Sequence, residues 1–511
     1  MKKLICVLLV FSMLLSFASC TAKPPASDAN ESSDGAPVQS DIPLDYEDAE
    51  FQKYMDDKSK KETTALVREK YGSNDFQGYS FRILAMTPGE HYLSFVSDEI
   101  DTSEIWYEED NADVQVHSVF ERNILTEELL NIKIKPLWGG NTYETPEMCE
   151  RLIKAGGDDF DMMYGSQLKT LPLAMQKNFI NLYDIETFDP KNEWWDQQYV
   201  DTFTFKHSKL FTITGDYLMM DEMAGEVIFY NNQMVENFNL TEPADLVEEG
   251  TWTVDRMMEL AEAVSADTNG DGMMTRDDTW GVYDNYYALV HFVEGCDIHM
   301  TELDEEGIPQ VIIESEQFSN AVQRCFEKII MSPATLLGEG NHATDLLEDD
   351  RVLFNYDQMG VIFRLREMEG DFGILPMPKL NDEQKDYTSV VNGIWVTTLS
   401  VPITAHDIGR IGTIMDVLGG FSTDTVDNTV DEVLLGTRLI RQKRSRDMLR
   451  YIVESREYDW AKDIPWGYPI YNLINAQSDA RTFTLASGLK SNIKIIKSQL
   501  KGFIKFIKKD N

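Results

Sequence analysis

The run from Asp267 to Asp278, D-T-N-G-D-G-M-M-T-R-D-D, is the one stretch where residue types and spacing together specify a chemistry. Side-chain oxygens recur at its first, third and fifth positions, Asp267, Asn269 and Asp271. Gly272 follows at the sixth, where the chain must turn sharply, and Met273 can offer its carbonyl at the seventh. Asp278 closes the twelfth. This is the pattern of a calcium loop, with calcium expected as a structural cofactor. The closing ligand is normally Glu, whose extra methylene permits bidentate binding, so the neighbouring Asp277 could substitute or assist. The competing reading is a solvated acidic turn. Calcium sensors carry paired loops, and no second loop occurs in this chain. The expected role is a staple.

The elements around the loop must position it. Trp252 to Ala266 reads as an amphipathic helix with Val254, Met257, Met258 and Ala261 on its apolar face, Thr253 as N-cap and Asp255 at the positive end of the dipole. After Asp278, Thr279 to Tyr283 reads as the start of a strand. Upstream, 79–85 begins with strand alternation, and 112–130 places Val116, Val119, Phe120 and Ile124 at helical spacing before 131–135 alternates again. A second such unit runs from Pro146 to Tyr164. Repeated strand–helix–strand alternation implies an α/β sheet with parallel strands. Further strands are expected at 225–230, 352–356 and 393–399, with a stretch holding two prolines at 372–378. The last segment, 485–509, sets Leu489, Ile493, Ile496, Leu500, Phe503 and Ile507 on one stripe, which favours a helix docked on the protein over one lying on a membrane surface.

Composition bounds the rest. The 511 residues hold 88 acidic and 46 basic side chains, a formal net charge of −42, which argues against nucleic acid as a partner. Met1-Lys2-Lys3, the apolar run from Leu4 to Phe17 and Ala18-Ser19-Cys20 mark a secretory signal, too short for the roughly 20 apolar residues of a membrane span. Small residues before a cysteine resemble the lipobox of bacterial lipoproteins. That likeness implies a signal peptide over 1–19 and a lipid on Cys20. From Thr21 to Asp48 there is almost no bulky apolar residue, so a flexible tether is expected, and 20–77 as a whole precedes the first domain. Cys149, Cys296 and Cys325 allow at most one internal disulfide and read as buried free thiols.

Several segments, taken in order, resemble the extracellular solute-binding lipoproteins of ABC importers, in particular the carbohydrate-type group of Gram-positive bacteria. They are the lipobox at Cys20, A-G-G-D-D-F-D-M-M-Y-G from Ala155 to Gly165, W-W-D from Trp194 to Asp196, and F-Y-N-N from Phe229 to Asn232. G-T-W-T-V-D from Gly250 to Asp255 and F-G-I-L-P-M-P-K from Phe372 to Lys379 complete the set. The resemblance implies an α/β, two-lobed periplasmic-binding-protein-like (type II) fold with a hinge and an interlobe cleft. Lobe I would comprise 78–215 plus 379–425 and lobe II 216–378 plus 426–511. The chain would cross between them near Thr214–Gly225, Leu375–Lys379 and Thr425–Thr429. It further implies a monomer anchored on the extracellular face of the membrane, which captures a small-molecule solute of carbohydrate type by lobe closure and passes it to ABC permease subunits.

Sugars bind by stacking apolar faces on aromatic rings while their hydroxyls exchange hydrogen bonds with polar side chains. Trp194 and Trp195 are the first candidate platforms, with Tyr164 and Trp395 behind them. Asp216, Glu90 and Asn392 are candidate hydrogen-bond partners, each near a strand end or a crossing. For any one Trp, core packing is the competing role. A secreted glycoside hydrolase would need only two nearby carboxylates, which so acidic a chain can supply. The sequence has no G-x-S-x-G, H-E-x-x-H or Walker loop, and its seven His show no metal-ligand spacing. A dockerin would carry two calcium loops. A binding protein, not an enzyme, is the expectation, with a ligand sensor that does not transport as a further alternative.

Overall fold

The computed structural model describes residues 63–89, 103–111, 113–284, 288–338, 344–365, 368, 370–429, 443–462, 464 and 467–509. The expected signal peptide, Cys20, the expected tether over 21–48 and Glu90 lie outside the described residues.

The described chain opens with helix α1 (Thr63–Tyr71), strand β1 (Tyr79–Ala85), α2 (Val114–Leu130), β2 (Ile132–Trp138), α3 (Glu144–Ala155), β3 (Met162–Ser166), α4 (Gln167–Met175) and α5 (Gln197–Phe203). Local chemistry sets these limits. Asp113 accepts from Gln115 N and Val116 N at the start of α2, and Asn131 takes the left-handed conformation (φ 50°) that stops the helix one residue before β2. Asn131 donates onward to Asp75 (2.8 Å).

A second set follows: β4 (Glu226–Asn231), α6 (Val254–Val264), β5 (Trp280–Asp284), α7 (Ala288–Gly295), a hairpin of β6 (Thr301–Leu303) and β7 (Pro309–Val311), α8 (Glu316–Cys325), β8 (Thr335–Leu337), β9 (Val352–Gln358) and β10 (Phe372–Leu375). As expected, Thr253 caps α6 by accepting from Arg256 N (3.3 Å), and Ala266 pairs with Thr279 across the base of the acidic loop. The chain then passes through β11 (Ser389–Val390) to β12 (Thr397–Ser400) and α9 (Ile408–Thr423). It ends with α10 (Lys443–Glu454), β13 (Arg456–Glu457), α11 (Tyr468–Ala480) and α12 (Leu485–Ile507).

Two principal sheets result, one per lobe, ordered β12-β3-β1-β2 and β10-β4-β9-β5-β8. Each is mixed, where the alternation of elements implied parallel strands alone. β1 runs parallel to β2 and β3, and β5 parallel to β8 and β9, but β12 is antiparallel to β3, and β4 antiparallel to β9. The reason is the route of entry. β4 and β12 arrive from the other lobe at the end of the sheet where the parallel strands finish, so each must run back against its neighbour.

The chain leaves the first sheet after Ile213, which pairs with Leu399, and starts the second at Glu226. It returns between Val391, paired with Gly225, and Thr397. The resemblance placed this return at Leu375–Lys379, and that position is corrected: Lys379 still pairs with Thr253 at the head of α6, inside the second lobe. The third expected crossing, Thr425–Thr429, directly follows the end of α9.

The C-terminal stripe is docked. Leu485, Leu489, Ile496, Leu500, Phe503 and Ile507 of α12 are buried, and Gly488 lies so close to Leu473 of α11 that a Cβ there would collide with it. Cys149, Cys296 and Cys325 are buried and free, the last two with sulfurs 3.7 Å apart.

Candidate interlobe binding site

Both sheets aim the carboxyl ends of their parallel strands at the crossings, the position where open α/β sheets take ligands. At the end of β3, Ser166 Oγ donates to Ile394 O (3.1 Å) and Gln167 N to Val396 O (2.9 Å), so the second crossing runs over that end. In the other lobe, Gln358 at the end of β9 lies opposite Glu226.

Two buried glutamates fasten the crossings. Glu104 accepts from Tyr164 OH (2.5 Å), Thr397 Oγ1 (2.8 Å), Met219 N and Met220 N (3.1 Å), which joins β3, β12 and the first crossing at one carboxylate. Burial raises its pKa, and these donors pull the other way. Arg122 of α2, also buried, lies over the Tyr217 ring at 4.1 Å and donates to the carbonyls of Tyr217, Glu104 and Ile105. Glu226 accepts from Tyr356 OH (2.5 Å), Asn392 Nδ2 (2.7 Å) and Gln358 Nε2 (3.2 Å), with His291 Nε2 at 3.4 Å. A buried carboxylate is tolerable only with such a set of donors.

From Glu226 a ladder of rings leads outward. Tyr356 stacks with His291 (centroids 5.7 Å, 19°), His291 meets Tyr471 (6.1 Å, 61°), and Tyr471 stacks with Tyr468 (5.8 Å, 17°). Tyr468, the first residue of α11, is 41% exposed. It combines an accessible ring with a rigid backing. Sequence reasoning missed it, although Gly467-Tyr468-Pro469 carried a signal: proline in the first turn fixes a helix start and so holds the adjacent ring in place.

The sequence-expected site residues fall into three groups. Trp194 and Trp195 are 8% and 1% exposed and belong to the core, which corrects the expectation that they form stacking platforms. Gly419 of α9 lets the indole of Trp194 approach, since a Cβ there would strike its ring, while a Cβ on Gly420 would strike Val67. Trp195 Nε1 donates to the buried Asp416 (3.1 Å), which also accepts from Tyr71 OH (2.9 Å). Tyr164 is likewise buried, with its hydroxyl committed to Glu104, so it too is corrected as a platform. Asn392 and Trp395 sit in the second crossing. Asn392 is buried between Glu226 and Ile394 N as a fastening, and Trp395 is half-buried.

Asp216 lines a second interlobe space, a cavity of about 270 Å³ shared with Asp196, Asp221, Glu222, Glu454 and Arg456. Asp196 caps α5 through Tyr199 N (2.9 Å), accepts from Tyr458 OH (2.7 Å) and faces Arg456 Nη2 at 3.5 Å, so one carboxylate ties α5 to β13 of the other lobe. Burial raises the pKa of Asp221, and Glu222 adds to it. Burial works against the charge of Arg456, yet the carboxylates around it hold its pKa up. Trp195 reaches this cavity with its ring turned into the lobe, so the space offers hydrogen bonds without a stacking face.

The acidic loop has the expected turn. Gly272 is left-handed (φ 82°), and Asp267 accepts from Gly270 N and Gly272 N (both 2.7 Å), Asn269 from Asp271 N (2.8 Å) and Asp271 from Met273 N (2.8 Å). Donor types and turn fit a calcium ion. Asp278 does not fit as twelfth ligand: it is buried, one oxygen accepting from Thr268 N (3.0 Å) and the other from Thr275 N (2.8 Å). Asp267, Asp271 and Asp278 do not bring their oxygens within 4.8 Å of one another. The Thr275 N–H, ahead of the other donors, lowers the Asp278 pKa.

No family model and no curated protein matches the sequence. Solved structures do match. A cyclo/maltodextrin-binding protein complexed with maltotetraose is 11% identical with a TM-score of 0.54, over 84% of this chain and 98% of that one. An ABC substrate-binding protein from Listeria monocytogenes, in complex with cycloalternan, is 11% identical with a TM-score of 0.52, over 83% and 99%. A sugar transporter from Rhizobium etli in an open conformation is 12% identical with a TM-score of 0.53, over 85% and 100%. The chain has their two-lobed α/β fold. At these identities the likeness is one of fold.

Proposed function

We propose that this chain is the solute-binding component of an ABC importer, capturing a sugar or oligosaccharide between its lobes and presenting the closed form to a permease. The observation that carries this reading is the Tyr468–Tyr471–His291–Tyr356 ladder, which ends on a carboxylate fastening the crossings. It supplies a sugar-stacking ring coupled to the hinge, in a fold shared with proteins solved with maltotetraose and cycloalternan. Ligand stabilises the closed arrangement by its differential affinity for it. In this reading the protein acts as a monomer on the extracellular face of the membrane, tethered by a lipid on Cys20, and binds without turnover.

Thermal shift of the purified protein across mono- and oligosaccharides tests the proposal, with a saturable upward shift expected for one class. Tyr468→Ala should then weaken that ligand by about tenfold, roughly 1.4 kcal/mol. Unchanged affinity would remove Tyr468 from the site, and release of reducing ends would replace binding by hydrolysis. Calcium is proposed as a structural ion on Asp267, Asn269, Asp271 and the Met273 carbonyl. Asp271→Ala should lose the calcium-dependent part of the melting temperature, and equal calcium shifts in both proteins would refute the site.

A further inference from the structure

Away from the aromatic ladder, three side chains with metal-ligating atoms converge. α7 stops at Gly295, and Asp297 takes a left-handed conformation (φ 57°) with its N–H returned to Glu294 O (2.9 Å). That turn sets Asp297 and His299 side by side, facing Glu457 on β13. His299 Nε2 lies 3.4 Å from Asp297 Oδ1 and 3.2 Å from Glu457 Oε2, and the ligating atoms of all three fall within 4.8 Å of one another. Among the described residues no other group of three or more His, Cys, Asp or Glu converges this closely. Glu457 Oε2 is buried against His299 and accepts no hydrogen bond there, while the three side chains as wholes are 38–59% exposed.

The spacing selects a geometry. Zinc takes imidazole nitrogen and carboxylate oxygen at about 2.0–2.2 Å, and a tetrahedron of that radius has edges of roughly 3.4 Å. The two edges at His299 have this length. We propose that Asp297, His299 and Glu457 form a site for a divalent cation of the zinc type, bound through one imidazole nitrogen and two carboxylate oxygens, with the fourth position open to water. Two carboxylates balance the charge of the ion when the imidazole is neutral. The imidazole also distinguishes this site from the all-oxygen loop at Asp267, because it favours zinc over calcium. The bound ion would pin the end of α7 to β13, whose partner β11 leads directly into the second crossing.

The same distances suit an imidazolium held by two carboxylates, and titration separates the two cases. Isothermal titration of the metal-stripped full chain with zinc chloride, in excess calcium to saturate the loop, should show one site per chain. His299→Ala and the near-isosteric Asp297→Asn should each weaken it at least about tenfold, while Asp271→Ala leaves it unchanged. Circular dichroism establishes that each variant is folded, and Asp297→Asn carries the test if His299→Ala is not. Zinc binding undiminished in the folded variants, or no uptake by the native chain at micromolar zinc, overturns the proposal.

Discussion

At the residue scale, buried carboxylates hold this molecule together where it must bend. Glu104 is the sharpest case. Its folded-state pKa lies above the ordinary 4.5 because burial penalises the charge more than the four donors repay. The folded protein therefore binds more protons than the unfolded chain between the two values. The stability Glu104 contributes is fully present below about 4.5 and is lost as the pH rises through the raised value. Chemical denaturation of the native protein and of Glu104→Gln at a series of pH values should show their stability difference shrinking upward through that window. A difference that stays flat would mean that Glu104 does not titrate there. Little of this was legible in the sequence. Trp194 and Trp195 looked like platforms because they are aromatic residues at expected loop positions, whereas the glycine that seats Trp194, Gly419, is more than two hundred residues away. Asp216 was placed at an interlobe surface by its position near a crossing and does line one. Tyr468 was overlooked because nothing local says that a helix start ends a ladder of rings leading to Glu226.

At the element scale, periodicity did better. β1 occupies 79–85 as expected, and α2, β2, β3, β4, β9 and α12 lie within a few residues of their expected limits, since each buries one face and the pattern of burial is the signal. What periodicity does not carry is direction. β4 and β12 look like any other strand, and only their route from the other lobe makes them antiparallel. α12 shows how an apolar stripe is spent. Its first half packs on α11 and pairs Lys497 with Glu314, while Phe503 meets Phe205 edge-on (4.9 Å, 86°) and Phe506 lies 5.4 Å from Phe211, both partners belonging to the first lobe. Phe503 is 2% exposed, so Phe503→Ala should cost about 3–5 kcal/mol in urea denaturation. A cost below about 1 kcal/mol would show that the end of the helix is not seated.

At the scale of the whole molecule, two elements of the second lobe reach across to the first among the described residues, in addition to the crossings and the Asp196 ties to Tyr458 and Arg456. One is α12. The other is the β6–β7 hairpin, whose Gly307 carbonyl accepts from Lys206 N (2.9 Å) across the interface. Most buried apolar side chains of the two lobes form one continuous cluster, whereas lobes joined by crossings alone would melt separately, as domains joined by linkers do. A helix that inserts aromatic side chains into one core while packing along the other makes each core's loss expose part of its neighbour. The full chain should thus give a single endotherm in scanning calorimetry, with van't Hoff and calorimetric enthalpies in agreement. A chain ending before Leu485 should resolve into two. The last helix of the fold thereby sets the size of its cooperative unit.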